Sequence, residues 1–350
     1  MPPARLTNDD LAGLMATSDE WIRTRTGISE RRISHVPTSQ LAHVAGARAL
    51  ACAGLAAAEL DLIILATASP DSLIPCAAAY VQKELAAEKA GAFDLNAGCT
   101  GFLYALAMGA SLIETGLHER ILVIGSERLS WYLDWSQRDT AVLFGDGAGA
   151  VVLEAVDEAR GGVAAWDLGC DGNAAGVLCV PNFGTSVDRH AETFGHFRLQ
   201  FDGREIFRRA VQGMFDSSLS ALQRAGMRLE QIDLIVPHQA NQRIISALAQ
   251  KLGLDPARMV TNIARYGNTS AATIPVALTE ALEANRVEPG HNILFTAFGA
   301  GLTWGATVLR WTGRLRAPRE TAIELPPCER TGLELIAHTA KVQRRLSGAE

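Results

Sequence analysis

The stretch FDLNAGCTGFLYALAMGASLIETG (residues 93–116) decides much of the fold. Its first part predicts a buried strand over 92–98, and the small apolar residues that follow predict a long helix ending at Gly116. Cys99 lies where the strand passes into the helix. Because the first N–H groups of a helix are unpaired and its dipole is positive there, we expect the Cys99 thiol to ionise readily and act as a nucleophile. The alternative is a buried structural cysteine.

A long-range repeat connects this stretch to the second half of the chain. ALACAGLAAAELDLII (49–64) and ALQRAGMRLEQIDLIV (221–236) share a gapless pattern at an offset of 172 residues, and ILVIGSE from Ile121 matches ILFTAFG from Ile293 at the same offset. Each copy predicts a helix that ends at a glycine and is followed by a continuous apolar strand. This order is typical of parallel sheets covered by helices.

The repeat predicts an α/β fold with two pseudo-equivalent halves, 1–160 and 161–311. Segment 185–205 is predicted to be a loop-rich insertion. Residues 312–350 are predicted to form a C-terminal extension with a short helix around 330–345.

The repeat also predicts where chemistry could occur. Adding the offset of 172 to Cys99 gives position 271, beside YGNTS (266–270), and adding it to Ala66 gives His238 in VPHQAN. Ligands of parallel α/β sheets bind at the carboxyl ends of strands, where these turns lie. We therefore expect Cys99, His238 and Asn268 to lie close together, although a single histidine at a strand end is often structural.

Composition excludes several classes of function. The 350 residues carry a net charge of −6 with scattered Lys and Arg, which argues against a nucleic-acid partner. The N-terminus has no signal-peptide pattern and the apolar runs are too short to span a bilayer, so we predict a cytoplasmic protein. Six cysteines without metal-ligand spacing predict reduced thiols and no metal site. LFGDGAGAVVLEA (143–155) continues into a strand and does not open a helix, unlike a dinucleotide-binding loop.

Five motifs taken in order closely resemble the β-ketoacyl-acyl-carrier-protein synthase III family, across about residues 3–311. They are TSDEWIRTRTGISER (17–31), NAGCTGFLYAL (96–106), VPHQAN (236–241), RYGNTSAATIP (265–275) and FGAGLTWG (298–305). The resemblance implies a thiolase-like fold with two α/β halves in a layered αβαβα arrangement.

The resemblance also implies a mechanism that needs no metal or organic cofactor. Cys99 would take an acyl group from acyl-CoA, and the backbone N–H groups of Cys99 and Ala300 would form the oxyanion hole. His238 and Asn268 would then hydrogen-bond the thioester carbonyl of malonyl acyl carrier protein while CO₂ leaves. A homodimer is implied as well.

Further roles carry over by position. The set implied to bind coenzyme A and its pantetheine arm is Trp21, Arg25, Arg138, Gly203, Phe207 and Asn241. The implied acyl pocket is Ile74, Val142, Leu143, Phe144, Leu199 and Phe298. The implied carrier-protein surface is Arg208, Arg209, Arg243 and Lys251; a solvated helix face is the alternative interpretation of these four residues.

This sequence departs from the family pattern in four places. It begins where the family has already placed a first strand, so either residues precede Met1 or the first sheet is one strand short. Arg204 stands where many members have a tunnel asparagine, and the extension has no counterpart in compact members. Ile74, at the end of the acyl pocket capped by the partner subunit, is smaller than an aromatic residue and suggests a longer or branched primer.

Three alternative functions remain on the same fold. They are a non-decarboxylating acyltransferase, a condensing enzyme of secondary metabolism, and a catalytically silent partner subunit. Asn268 favours decarboxylation, because simple acyl transfer does not need an amide donor at that position. The intact Cys99, His238 and Asn268 argue against a silent subunit.

Overall fold

The computed structural model describes residues 1–157, 160–181, 183–190 and 199–346. The strands are β1 (Arg5–Thr7), β2 (Glu30–Arg32), β3 (Leu62–Ala66), β4 (Gly91–Leu95), β5 (Arg120–Arg128), β6 (Asp146–Glu154), β7 (Gly162–Cys170), β8 (Leu178–Cys179), β9 (Gln200–Phe201), β10 (Leu234–Pro237), β11 (Asn292–Gly299) and β12 (Thr303–Arg310). The α-helices are α1 (Asn8–Ala12), α2 (Asp19–Thr26), α3 (Thr38–Ala53), α4 (Ala77–Glu84), α5 (Gly101–Glu114), α6 (Arg138–Ala141), α7 (Gly203–Arg224), α8 (Gln242–Leu252), α9 (Ile263–Tyr266), α10 (Thr273–Glu283) and α11 (Gly332–Leu346).

Two four-stranded sheets and three helical layers form the body of the molecule. The strand orders are β4-β3-β5-β6 and β10-β11-β12-β7. Helices α5 and α10 lie between the sheets, in a core that includes Phe102, Ile274 and Phe295. Helices α3 and α4 cover the outer face of the first sheet, and α7 and α8 that of the second. This αβαβα layering agrees with the predicted fold.

The predicted repeat is confirmed by the register of the two sheets. In the first sheet β3 pairs in parallel with β5 through Leu62 and Ile121, and in the second β10 pairs in parallel with β11 through Leu234 and Ile293. Both residues of the second pair follow those of the first by 172 positions. The glycines Gly54 and Gly226 that follow α3 and α7 have positive φ angles of 70° and 64°. Both turns therefore use a conformation that favours glycine.

The predicted boundaries around the opening stretch were partly wrong. The strand is Gly91–Leu95 and is only half-buried, because β4 is the edge strand of its sheet. Cys99 lies in a 3₁₀ turn, Gly98–Thr100, and α5 starts two residues after it. The insertion predicted for 185–205 is also too long, since α7 already begins at Gly203; residues 191–198 lie outside the described residues.

Each sheet has four strands, but the two sheets differ in one edge strand: the first has β4 next to β3, and the second has β7 next to β12. In the second sheet β7 pairs with the outer edge of β12, whereas no strand of the described residues pairs with the outer edge of β6. The segment after Thr312 runs along this side of the molecule. Arg316 forms a salt bridge of 2.6 Å with Glu154 of β6, and the backbone N–H of Arg319 donates to the Ala51 carbonyl of α3.

Helix α11 confirms the helix predicted around 330–345. Its Ile336 and Ala340 are buried in a cluster with Leu11 and Trp135. The extension is therefore packed against the first half of the chain. Within the ranges given above, no helix has both the length and the apolar character needed to span a membrane.

Candidate active site

Cys99 lies at the contact between the two pseudo-equivalent halves. A Cβ atom placed on Gly299, at the end of β11, would come within 2.7 Å of the Cys99 backbone nitrogen. Glycine at 299 therefore permits the close approach. The hydroxyls of Thr100 and Thr303 are 2.6 Å apart and join the same two segments. The backbone N–H groups of Cys99 and Ala300 both hydrogen-bond the Cys99 sulfur.

The second half contributes a matching 3₁₀ turn, Ser270–Ala272, which contacts the turn that holds Cys99. Its residues follow those of Gly98–Thr100 by 172 positions. Ser270 is the centre of a hydrogen-bond network. Its hydroxyl contacts the Cys99 thiol, its N–H donates to Asn268 Oδ1 at 2.8 Å, and its carbonyl accepts from the Thr273 hydroxyl at 2.9 Å. His238 joins the network through Nδ1, which is 2.7 Å from that hydroxyl.

Asn268 is held by its backbone and by its side-chain oxygen. Its N–H donates to the Leu143 carbonyl at 2.9 Å, and its own carbonyl accepts from the Gly145 N–H at 3.0 Å. Because Ser270 occupies Oδ1, the side-chain NH₂ group is the part of the amide that can serve a ligand.

His238 is only 2% exposed, and this burial lowers its pKa to about 3. The imidazole is therefore neutral at neutral pH, with one ring N–H. The Thr273 hydroxyl has one proton and lies between Nδ1 and the Ser270 carbonyl. The hydroxyl can donate to only one of them: if it donates to the Ser270 carbonyl, Nδ1 carries the imidazole proton, and if it donates to Nδ1 instead, Nε2 carries the proton and can donate to a ligand.

The prediction of a readily ionised Cys99 was wrong. The side chain is 8% exposed, and burial raises its pKa to about 11, with a further increase from the negative charge of Glu127. The hydroxyl of Ser270 and the two backbone N–H groups act in the opposite direction but do not outweigh burial. The position of Cys99 near the start of a helix predicts backbone N–H donors beside the sulfur. It does not reveal the free-energy cost of removing a thiolate from water.

Sequence reasoning also missed Ser270 and Glu127. Glu127 is completely buried at the end of β5 and accepts a hydrogen bond of 2.9 Å from the Ser270 hydroxyl. For Glu127 the available signal was like that for His238: a polar residue, here the glutamate in ILVIGSER, that follows an apolar run predicted to be a strand. In the four described ranges, no group of three or more His, Cys, Asp or Glu side chains is placed to hold a metal ion.

The residues predicted to bind coenzyme A form one cluster and one more distant group. The guanidinium carbons of Arg25 and Arg138 lie 4.5 and 4.3 Å from the centre of the Trp21 ring, so both cations contact the indole. Asn241 caps α8 and donates to the Arg25 carbonyl at 3.1 Å, so its amide connects α8 to α2.

The second group lies on α7. Gly203 begins this helix, one turn before Phe207, whose ring is 5.7 Å from the Arg243 guanidinium carbon. Arg204 is exposed on the same turn.

The predicted acyl-pocket residues divide between the core and the surface. Val142, Leu143, Phe144 and Phe298 are buried, and Leu199 packs partly buried against the same cluster as the first three. Phe144 forms a backbone bridge with Asn268, which places this segment beside the candidate site. Ile74 is 85% exposed beside the equally exposed Leu73.

The predicted carrier-protein surface lies on α7 and α8. Arg208 and Arg209 both pair with Glu205, at 2.7 and 2.6 Å, and Arg209 also pairs with Asp171. Within the described part of the chain, Arg243 and Lys251 pair with no carboxylate and rest against the rings of Phe207 and Phe215. These two cations therefore retain the most available charge.

Comparison with known proteins identifies the family. Residues 93–172 match the family described as 3-oxoacyl-[acyl-carrier-protein] synthase III, and residues 222–311 match its C-terminal part. β-Ketoacyl-[acyl-carrier-protein] synthase III 2 of Vibrio vulnificus (strain YJ016) is 54% identical over 336 residues, which cover 96% of this chain and 92% of that protein. An alignment of that length must extend beyond residue 311, so this relative shares part of the C-terminal extension.

Two solved structures have the same fold. 3-Oxoacyl-[acyl-carrier-protein] synthase III from Aquifex aeolicus VF5 is 44% identical with a TM-score of 0.84, covering 89% of this chain and 97% of that chain. The priming β-ketosynthase of the R1128 polyketide pathway is 34% identical with a TM-score of 0.84, covering 89% and 93%. The identity along almost the whole chain, together with the fold, establishes that this protein belongs to the β-ketoacyl-[acyl-carrier-protein] synthase III family of thiolase-fold condensing enzymes.

Proposed function

We propose that this enzyme transfers an acyl group from acyl-CoA to Cys99 and then condenses it with malonyl acyl carrier protein, releasing CO₂. The observation that carries the proposal is the network centred on Ser270, which joins Cys99 to Asn268 and, through Thr273, to His238. A nucleophile and two neutral hydrogen-bond donors are the groups that this two-step reaction requires.

In the first step the Cys99 sulfur attacks the thioester carbon and the coenzyme A thiolate leaves. The N–H groups of Cys99 and Ala300 hydrogen-bond the sulfur, and we expect the same two donors to stabilise the oxyanion of the tetrahedral intermediate. Two arginines rest against the Trp21 ring, and when they turn to bind the phosphates of coenzyme A an adenine ring can stack on the indole in their place.

In the second step the thioester carbonyl of the malonyl group accepts hydrogen bonds from His238 Nε2 and the Asn268 amide. CO₂ leaves, the resulting enolate attacks the acyl carbon on Cys99, and the Cys99 thiolate is expelled. Burial keeps His238 neutral, which suits a group that donates a hydrogen bond without storing a proton. The proposal uses no metal or organic cofactor.

We also propose a cytoplasmic homodimer in which the loop bearing Leu73 and Ile74 contacts the partner subunit. The support is the exposure of two large apolar side chains side by side, 81% and 85%. In such a dimer Ile74 would close the partner's acyl pocket, and its size favours a longer or branched primer. The similarity to a priming β-ketosynthase makes a specialised primer in secondary metabolism the second candidate function.

The test separates the two half-reactions with variants. Intact-mass spectrometry of the wild-type enzyme with acetyl-CoA and octanoyl-CoA should show one acyl group, mapped to Cys99 by peptide analysis. Cys99→Ser should abolish acylation. Asn268→Ala should still be acylated but release CO₂ from malonyl carrier protein at least about 100-fold more slowly, the scale seen when an oxyanion donor is removed.

The outcomes that oppose the proposal are specific. If Asn268→Ala released CO₂ at the wild-type rate, the amide would have no part in decarboxylation. If the acyl group left Cys99 for an alcohol or amine acceptor while malonyl carrier protein kept its carboxylate, the enzyme would be a non-decarboxylating acyltransferase. Exclusion of octanoyl-CoA with rapid use of acetyl-CoA would end the longer-primer hypothesis.

A further inference from the structure

A buried carboxylate lies behind the candidate site and has no part in the mechanism described so far. Glu127, at the end of β5, is completely buried. Its Oε1 accepts from the Ser270 hydroxyl at 2.9 Å and its Oε2 from the Ser69 hydroxyl at 2.5 Å. The Ala68 N–H lies 3.2 Å from both oxygens, and the Thr67 hydroxyl lies 3.3 Å from Oε2. All of these partners donate, which is the arrangement that an ionised carboxylate requires.

Ser270 connects this carboxylate to the thiol. While Cys99 is a thiol, the Ser270 proton is directed to Glu127 and the Ser270 oxygen can accept from the S–H. The same hydroxyl can donate to the sulfur once the sulfur is ionised, which is how it lowers the pKa of the thiol. The backbone at Ser270 has a φ of 49°, a value that favours glycine, and the equivalent position in the first half is Gly98 with a φ of 56°. Strained backbone of this kind tends to occur at functional sites. Here a serine side chain is present at the position where the repeat has glycine.

We propose that Glu127 is the proton acceptor for Cys99, reached through the Ser270 hydroxyl. As the sulfur attacks the thioester carbon, the S–H proton passes to Ser270 Oγ and the Ser270 proton passes to Glu127 Oε1. The sulfur–carbon bond forms, and the carbonyl π bond opens to the oxyanion. The products of this step are the tetrahedral intermediate, an unchanged serine and a neutral Glu127. The inference rests on the proposed role of Cys99 as nucleophile.

The same relay returns the proton at the end of the cycle. When the condensation expels the Cys99 thiolate, Glu127 gives its proton to Ser270 and Ser270 gives one to the sulfur. The coenzyme A thiolate released earlier takes its proton from solvent, which balances the one proton that the overall reaction consumes. Glu127 therefore holds the proton for as long as Cys99 is acylated. A neutral Glu127 also removes a negative charge from beside the thioester.

The titration of the carboxylate suits this task. Burial raises the pKa of Glu127 to about 7, which makes it a stronger base than an exposed glutamate while leaving it largely ionised above neutral pH. The titratable groups that interact with its charge are Cys99 and Tyr132, and the pKa of each is raised mainly by burial and further by the charge of Glu127. His238 is linked to it only through Thr273 and Ser270.

The test uses iodoacetamide as a probe, so it does not depend on any thioester. The alkylation rate of Cys99 is measured from pH 5.5 to 9.5 by peptide mass spectrometry, which separates this residue from the other five cysteines. The wild-type rate should rise with an inflection near pH 7. Glu127→Gln and Ser270→Ala should both lose this inflection and react at least about tenfold more slowly at pH 7.5, the lower side of what a general base contributes.

Asp146→Asn is the matched control. Asp146 is also completely buried and hydrogen-bonded by serine, through Ser130 and the Ser34 N–H, but it has no contact with the relay. This variant should keep the wild-type pH profile. Thermal unfolding confirms that each variant is folded, and Ser270→Ala keeps the test decisive if Glu127→Gln does not fold.

A folded Ser270→Ala or Glu127→Gln enzyme with the wild-type pH profile would overturn the relay. Failure of the proposed function would look different. In that case wild-type Cys99 would be alkylated with the predicted pH profile but would accept no acyl group from a thioester, and the relay would stand.

Discussion

At the scale of single residues, burial decides the chemistry of the candidate site. The sequence placed His238 directly after its strand, whereas Cys99 lies in a 3₁₀ turn that follows the end of β4 at Leu95. The sequence could not predict their titration, because the pKa of each depends on how much water the surrounding residues exclude. Burial raises the pKa of the Cys99 thiol and lowers that of the His238 imidazole. Both groups are therefore neutral before substrate binds.

The buried imidazole makes stability depend on pH. The pKa of His238 is lowered from 6.5 to about 3 by burial. Between these values the unfolded chain binds a proton that the folded protein does not, so stability falls as the pH drops below 6.5. The free energy of unfolding of the wild type relative to His238→Gln should fall by about 2 kcal/mol between pH 7.5 and pH 5.

Urea unfolding of both proteins at each pH measures this difference. His338→Gln, a substitution of an exposed histidine on α11, is the control and should show no comparable change. A wild-type to His238→Gln difference that is constant with pH would show that the imidazole is not held neutral.

At the scale of elements, what could be predicted depends on whether a signal is local. The apolar runs of β3, β5, β10 and β11 and their glycine-ended helices follow directly from the repeat. The edge position of β4 does not follow from the sequence, because the burial of a strand depends on whether other strands pair with it on both sides. Helix α11 was predicted from its own sequence, but nothing local indicates the surface it covers.

The packing of α11 gives a stability prediction. Ile336 is 3% exposed and packs in the cluster that contains Leu11 and Trp135, while Gln343 bonds the backbone of Leu133 and Trp135. Ile336→Ala should reduce the free energy of unfolding by about 2–4 kcal/mol, through lost burial and the cavity left behind. Chemical denaturation measures the loss.

Val342→Ala on the same helix is the comparison, since Val342 is 41% exposed and its truncation should cost less than about 1 kcal/mol. Equal effects of the two substitutions would mean that α11 is not docked as described.

At the scale of the whole molecule, a net charge of −6 and a local group of cations favour an acidic partner at one face. The resemblance predicted four basic residues at this face, and in the structure they differ in whether a carboxylate pairs with them. Arg208 and Arg209 share the carboxylate of Glu205, whereas Arg243 and Lys251 have no carboxylate partner in the described ranges. Sequence could not make this distinction, because it depends on side-chain neighbours across α7 and α8.

Charge reversal at Arg243 and at Arg208 should therefore weaken binding of the carrier protein to different extents. Arg243→Glu should raise KM for malonyl carrier protein about tenfold at low salt, with little change in KM for acyl-CoA, because it removes attraction and adds repulsion. The effect should diminish as salt is added. Arg208→Glu, in which the lost cation was already paired, should raise KM less. Steady-state kinetics with each substrate varied in turn would detect the difference, and equal KM values for Arg243→Glu and wild type would contradict the assignment of this face.

A decarboxylating condensation requires that the two halves place a nucleophile and two neutral donors in one site. The most direct measurement follows malonyl carrier protein labelled in its free carboxyl group, together with the mass of the carrier-bound product, after the enzyme has been acylated. We predict one labelled CO₂ for each β-ketoacyl product formed, with the acyl group passing from Cys99. Loss of the acyl group from Cys99 while the label stays on the carrier, or β-ketoacyl product formed by Cys99→Ser, would contradict the proposed condensation.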